Sequence, residues 1–167
     1  MAQSLRSIAR SNGPLLTDAH PSALHAQRGK TRMLDGSRTE DMKTPEHFEI
    51  MEGYCCYRLS GHGPLDEAAS KVIEAITFSR EQGISHLLID TTGWTGHANP
   101  DALERYSVAQ AFAEATRSAV KLAMVVRPEM MDPNKFEVTV ARNRGMLGNV
   151  FDSEKDALAW LLEPVIR

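Results

Sequence analysis

The side chains best suited to chemistry are concentrated in one short stretch. Residues 90–96 (DTTGWTG) combine a carboxylate, three hydroxyl groups and an indole, with glycines at 93 and 96. A loop of this composition can bind a ligand. The same residue types also build tight turns and cover the edge of a core. The composition alone leaves both interpretations open.

Further polar residues follow predicted strands elsewhere in the chain. The carboxyl ends of parallel strands meet at one edge of a sheet, the usual ligand position in open α/β folds. Helix N-termini at that edge, together with Arg127, would favour an anion such as a phosphate or carboxylate. The residues expected at this ligand or partner rim are His62, Asp90, Thr91, Thr92, Trp94, Thr95, His97 and Arg127, with Asp152 and Ser153 near its end.

Catalytic and metal-binding motifs are absent from the sequence. The six histidines show no HExxH pair and no fixed spacing to cysteine. The chain contains no GxSxG elbow, P-loop or GxGxxG fingerprint. We therefore expect a non-enzymatic protein with no metal and no cofactor. The alternative is an enzyme that uses Asp90 as a base beside His62 or His97.

The two cysteines, Cys55 and Cys56, are adjacent on a predicted strand. Neighbouring side chains on a strand point to opposite faces, so the two thiols cannot readily bridge each other. Two buried, reduced thiols are expected.

Length and composition describe an ordinary globular domain. The chain has 167 residues, of which 42% are hydrophobic and 25% charged, with a net charge of -3. A small negative net charge does not indicate a protein that binds nucleic acid. No apolar run is long enough for a membrane span, and the N-terminus lacks the apolar core of a secretory signal, so a cytoplasmic protein is expected.

The first 44 residues differ from the rest. They contain no aromatic residue and no valine, and they carry a charge of +3, against -6 for residues 45–167. Such a segment lacks the material for a packed core. We predict a disordered tail over residues 1–44 and one domain over residues 45–167. A start site at Met33 or Met42, or a targeting segment, is the other interpretation of the tail.

Hydrophobic periodicity predicts the elements of the domain. Two apolar stretches, 48–51 and 54–59, read as a β-hairpin, and 86–91 reads as a central, buried strand. A stripe at 65–76 predicts a helix ending near Gly83. Further elements are predicted as a helix at 100–117, a strand at 120–127, a helix at 133–146, a strand at 149–151 and a helix at 153–162. The predicted fold class is α/β, a mixed sheet of about five strands with about four helices packed on it.

The predicted helix starts share a pattern. Gly63, Asn99 and Asp132 each precede a proline, which is favoured at the first helical position. Ser153, with Asp156 three residues later, predicts a cap for the last helix.

Several short motifs in this order resemble a known family. The segments are LLIDTTGWTG, ALERY, KLAMVVRPE, DPNKF, ARNRG and VFDSEKDALAWLL. Together, over about residues 46–163, they resemble the bacterial STAS/SEC14-type proteins, often called SpoIIAA-like. The resemblance implies helices packed on a β-sheet, no catalytic chemistry, and a regulatory or interaction module that can also accept a small or lipidic ligand.

The chain departs from the classical phosphorylation switch of anti-sigma-factor antagonists. In that group a serine or threonine at a helix start is modified, whereas residues 96–101 here (GHANPD) contain no hydroxyl. Thr92 and Thr95 are the nearest candidate phosphosites.

The first functional hypothesis is therefore a regulatory module that binds a protein partner, a regulator or a kinase. Its partner face would be Arg105, Tyr106 and Phe112. The alternative is a small-molecule or lipid-binding module with an anion-favouring rim. Pairing through an uncovered hairpin edge would give a homodimer.

Overall fold

The computed structural model describes residues 43–164, which form a five-stranded mixed sheet. The strands are β1 (Phe48–Ile50), β2 (Cys55–His62), β3 (His86–Thr95), β4 (Lys121–Val125) and β5 (Gly148–Phe151). They lie side by side in chain order; β1 pairs with β2 antiparallel and the later pairs are parallel. The predicted α/β fold with an N-terminal hairpin and a central third strand is confirmed.

Four α-helices pack on this sheet. They are α1 (Leu65–Glu81), α2 (Ala102–Thr116), α3 (Phe136–Asn143) and α4 (Glu154–Leu162), with a 3-10 turn at Pro128–Met130. The predicted third helix, 133–146, is too long at both ends. Lys135 adopts a left-handed conformation (φ 48°), so α3 begins only after it. Gly83 ends α1 as predicted, with a φ of 72° and the Ile84 amide donating to the Ser79 carbonyl.

The sheet has a separate core on each face. One core contains Leu87, Ile89 and Leu122 and lies under α1, α2 and α3. The other contains Leu88, Ala123 and Val125 and packs against Ala157 and Leu161 of α4. Side chains alternate along a strand, so neighbours in β3 and β4 serve opposite cores. This alternation decides which candidate site residues can meet.

The helix starts differ from the proline pattern. Pro64 is itself the cap residue of α1, and α2 begins after Asp101 rather than at Pro100. The Asp101 carboxylate accepts hydrogen bonds from the Leu103 and Glu104 amides at 2.9 Å, and Glu104 accepts one from the Asp101 amide. This reciprocal capping box places the start of α2.

Side-chain oxygens also accept hydrogen bonds from backbone amides at the starts of α3 and α4, although the cap residue of α3, Lys135, makes no such bond. The Asp132 carboxylate accepts hydrogen bonds from the Phe136 and Asn134 amides, which hold its pKa below the usual value. The cap predicted at Ser153 is confirmed, since its hydroxyl accepts from the Asp156 amide.

The third strand is longer than its apolar run. β3 continues through Thr95, because residues 93–95 pair with residues 60–62 of β2 beyond a register shift. The DTTGWT segment is therefore strand rather than loop, which corrects the loop interpretation.

The predicted disordered tail lies almost wholly outside the described residues and stays a prediction.

Candidate functional site

A cavity of about 150 Å³ lies between the sheet and helices α1, α2 and α3. Most of its lining is apolar, including Val72 of α1, Phe112 of α2 and Val138 of α3. Leu122 and Met124 of β4 form its floor with Trp94 of β3. An apolar cavity of roughly this size elsewhere stays dry and accepts benzene. The space therefore suits a group the size of one aromatic ring.

A charged pair interrupts this apolar lining. Arg105 of α2 and Glu137 of α3 both line the cavity, and their side chains are only 12% and 16% exposed. Arg105 Nη1 and Glu137 Oε2 are 3.7 Å apart. The pair is an ion contact whose two atoms are too far apart for a hydrogen bond.

Arg105 also holds two backbone segments against each other. Its Nε donates to the Pro100 carbonyl at 3.1 Å, and its Nη2 donates to Asn99 Oδ1 and to the Met130 carbonyl. Asn99 Nδ2 donates in turn to the Glu129 carbonyl at 3.0 Å. These bonds join residues 97–100 to residues 127–130, and both segments contribute lining residues to the cavity.

Only half of the predicted rim reaches this cavity. The rim residues that line it are Thr91, Trp94, His97 and Arg127. Thr91 Oγ1 donates to the Val125 carbonyl at 3.1 Å, and Arg127 pairs with Glu129 at 3.1 Å. His97 Nδ1 lies 2.8 Å from the Ala98 carbonyl oxygen.

Asp90 and Thr92 belong to the opposite face of the sheet. Asp90 Oδ1 accepts hydrogen bonds from the amide and hydroxyl of Thr92, and Asp90 Oδ2 lies 3.1 Å from Arg58 Nη1. Arg58 also donates two bonds of 3.0 Å to Glu154 at the start of α4. This hydrogen bond to Glu154 raises the pKa of Arg58 above its usual value. The cluster fastens α4 to β2 and β3.

His62 and Thr95 lie together at the end of the β2–β3 ribbon. His62 Nδ1 is 3.1 Å from Thr95 Oγ1, and both residues are exposed. Neither His62 nor His97 hydrogen-bonds Asp90 in the described part of the chain. The proposed Asp90–histidine pairing is therefore not assembled.

The indole of Trp94 is buried in a space that exists because Gly61 and Gly63 have no side chains. A Cβ atom at Gly61 would lie 2.7 Å from the indole, and one at Gly63 would lie 2.9 Å from it. The indole Nε1 donates to the Gly63 carbonyl at 3.2 Å. Trp94 is 4% exposed, so it covers the core edge as the structural interpretation expected, while also lining the cavity.

The predicted partner face of α2 is corrected in two of its three residues. Phe112 is 6% exposed and belongs to the core, and Arg105 is directed into the cavity contacts described above. Tyr106 is exposed, with Arg144 over its ring at 4.9 Å. Phe112 lies on the buried side of α2, beside Ala109 and Ala113.

The Arg105–Glu137 pair was not predicted as part of a pocket. The two residues are 32 positions apart on different helices, and each looks like an ordinary polar surface residue in its own helix. Their partial burial depends on how α2 and α3 pack together, and no local pattern signals it.

Acidic side chains lie beside the arginines near the predicted anion-favouring rim, which stays a prediction. Three arginines each have an acidic partner: Arg58 has Asp90 and Glu154, Arg105 has Glu137, and Arg127 has Glu129. The positive charge available to a free anion is correspondingly reduced.

Searches against protein families and against curated proteins find no match for this chain. Within residues 43–164, no group of three or more His, Cys, Asp or Glu side chains is arranged to hold a metal ion. No helix in that same range is both long and apolar enough to cross a membrane.

Proposed function

We propose that this domain is a binding module for a small, largely apolar molecule, held in the cavity between the sheet and α1, α2 and α3. The observation that carries the proposal is the largely apolar cavity of about 150 Å³, partly open to solvent, between the sheet and the three helices. Protein interiors usually have few voids larger than a water molecule. An unfilled space of this size forfeits packing energy that a ligand would restore.

Two features favour a binding role for this space. Its lining draws on β3, β4, β5 and three helices, so the fold as a whole shapes it. The half-buried charged pair of Arg105 and Glu137 would give a ligand one fixed orientation, as expected of a pocket with few polar groups. The resemblance to STAS/SEC14-type proteins, with their small or lipidic ligands, agrees with this proposal.

The test is direct binding of a ring-sized probe to the full chain. Toluene, titrated in excess, is expected to raise the unfolding temperature, since a ligand at 100 times its Kd adds about 2.7 kcal/mol. Ala109 is buried and lines the cavity, so Ala109→Leu should fill the space and abolish toluene binding. The same variant should keep or raise stability, by about 0.5–2 kcal/mol for a well-placed filling group.

Ala102→Leu is the matched control, because Ala102 lies exposed in the first turn of the same helix. It should bind toluene as the wild type does. Toluene binding that survives Ala109→Leu, or no binding to the wild type, would contradict the proposal.

A second candidate is a regulatory protein-interaction module. The observation that favours it is the pair Leu103 and Tyr106, 72% and 37% exposed, one helical turn apart on α2. Thr92 and Thr95 are exposed as well, so a kinase could reach their hydroxyl groups. Capture of a defined regulator that is lost in Tyr106→Ala at unchanged thermal stability would support this role. Mass spectrometry of the same bait would detect phosphate on either threonine.

A further inference from the structure

The arginines of the domain fall into two groups. Those that lie within 3.7 Å of a carboxylate oxygen are Arg58, Arg80, Arg105 and Arg127. The others, Arg117, Arg142 and Arg144, are exposed and form no ion pair with a carboxylate in the described part of the chain. Glu114, one helical turn before Arg117, instead accepts a hydrogen bond from Gln110 at 3.1 Å. The charge of the second group is therefore available to a partner.

The unpaired arginines lie at one end of the domain, where α2 and α3 both end. Arg117 is the C-terminal cap residue of α2, Arg142 lies in the last turn of α3, and Arg144 is the C-terminal cap residue of α3. The Ser118 hydroxyl donates to the Gly145 carbonyl at 2.8 Å, so the two helix ends are in contact. We call Arg117, Arg142 and Arg144 the arginine cluster.

A local role at the helix ends accounts for only one member of the cluster. Basic side chains near a helix C-terminus can stabilise it by donating to the last carbonyl groups. Arg144 does so, with its Nη1 3.4 Å from the Val140 carbonyl oxygen. The side chains of Arg117 and Arg142 donate no hydrogen bond within residues 43–164. Helix capping therefore leaves most of this positive charge unused.

The backbone at Arg117 supports a role outside the fold. Arg117 and Ser118 both have a left-handed conformation, with φ of 46° and 56°. Glycine or asparagine is usual at such a position after a helix, because other residues are strained there. The hydrogen bond of Ser118 to Gly145 gives that residue a structural reason, whereas Arg117 has no comparable contact. Strained residues are concentrated at functional sites.

Tyr106 holds one guanidinium group of the cluster in place. The guanidinium carbon of Arg144 lies over the Tyr106 ring, 4.9 Å from its centre, and Nη2 donates to the tyrosine hydroxyl. A guanidinium that stacks on a ring by its face keeps part of its N–H edge free for a carboxylate. Tyrosine and arginine are also among the residues that contribute most to binding energy in protein interfaces.

We propose that the arginine cluster, with Tyr106 beside it, binds an acidic segment of a partner protein. This inference does not rest on the small-molecule binding proposed above, because no member of the cluster lines the cavity. Guanidinium groups pair with carboxylates through two parallel hydrogen bonds. A short acidic segment fits better than a nucleic acid, whose binding sites commonly contact about 6–10 phosphates. The charge of -6 over residues 45–167 would repel such an extended polyanion beyond the cluster.

The probe is a fluorescein-labelled hexaglutamate peptide, titrated with the full chain by fluorescence anisotropy at low ionic strength. A chain with a net charge of -3 repels this peptide on average, so binding requires a local basic site. Arg142→Gln and Arg144→Gln should each weaken binding by about threefold. Lys155→Gln is the matched control, because it removes one positive charge from an exposed position on α4, across the sheet, and should leave the affinity unchanged.

Arg117→Gly separates binding from folding. Glycine adopts the left-handed conformation without strain, so this variant should unfold at no lower a temperature than the wild type. It should nevertheless bind hexaglutamate about threefold more weakly, because it lacks one guanidinium group of the cluster. Thermal unfolding of all four variants shows whether each of them is folded.

Weaker binding in all three arginine variants, with Lys155→Gln unchanged, would support the proposal. No binding by the wild type would overturn it. Unchanged affinity in the folded arginine variants, or equal weakening in Lys155→Gln, would also overturn it. Tighter binding of a single-stranded DNA dodecamer or of phosphatidylserine vesicles, lost in the same arginine variants, would overturn it in favour of a nucleic acid or a membrane.

Discussion

At the scale of single residues, the indole of Trp94 explains the glycines around it. Glycine is needed at position 61 for two reasons. Its φ of 143° strains any other residue, and the Trp94 indole lies too close to leave room for a methyl group. Gly53 has a φ of 86°, but a methyl group there would meet no other atom within 4 Å. A comparison of Gly61 with Gly53 therefore separates the cost of backbone strain from the cost of a steric clash.

Gly61→Ala should destabilise the domain more than Gly53→Ala does. Both variants strain the backbone, whereas only the first forces a methyl group against the indole, a type of overpacking that costs about 1–3 kcal/mol. Urea unfolding of both variants measures the difference. Equal losses would mean that Trp94 moves aside at no cost.

Cys56 is a second residue whose surroundings make a measurable prediction. Burial raises the pKa of its thiol to about 11, partly opposed by the positive charge of Arg58. In the unfolded chain the thiol keeps its ordinary value near 9.0, so the folded state binds the proton more tightly. The protonated thiol therefore contributes fully to the free energy of unfolding below about pH 9, and this contribution is lost as the pH rises towards 11.

The free energy of unfolding of the wild type should therefore fall more steeply above pH 9 than that of Cys56→Val. The difference between the two proteins isolates this thiol from other groups that titrate in the same range. Parallel pH profiles would contradict the prediction. Slow reaction of the native thiols with a disulfide reagent, accelerated by urea, would be the second sign of burial.

At the scale of elements, the start of α2 matters for the cavity because Arg105 lies in its first turns. The capping box of Asp101 and Glu104 holds that start in place. Asp101→Ala should cost about 1 kcal/mol, and Asp101→Ser, which retains an acceptor, should cost much less. Hydrogen exchange should show faster opening of residues 97–105 in the alanine variant alone. Identical exchange in both variants would show that packing alone determines where the helix begins.

The elements were more predictable than the site. The apolar stripe at 65–76 and the buried run at 86–91 identify α1 and the core of β3 because periodicity is a local property. The continuation of β3 through Thr95 depends on pairing with residues 60–62 of β2, which no local pattern records. Trp94, Thr91, His97 and Arg127 were found through the strand-end rule, whereas Arg105 and Glu137 meet only once α2 and α3 have packed.

At the scale of the whole molecule, the sheet separates the cavity from the second core. The face under α1, α2 and α3 contains the cavity, and the opposite face contains a tight core closed by α4. Lys121 adds to that closure, since its Nζ donates to the Trp160 and Glu163 carbonyls at the end of α4. Stability and binding should therefore respond to different substitutions.

Leu161→Ala tests this separation, because Leu161 of α4 is fully buried in the core between α4 and the sheet. The loss of its side chain should cost about 2–5 kcal/mol of unfolding free energy. The affinity for a cavity probe, measured well below the new unfolding temperature, should stay within about twofold of the wild type, a change of under 1 kcal/mol. A parallel loss of affinity would show that the two faces are coupled through the sheet.

The strands lie in the sheet in the same order as they occur in the chain. During synthesis, each new strand can therefore pair with the one that left the ribosome just before it, and no later strand has to insert between two that are already joined. Contacts close in sequence also favour rapid folding. Each new strand is added at the edge of the sheet, so the nascent chain does not have to break strand pairs that have already formed.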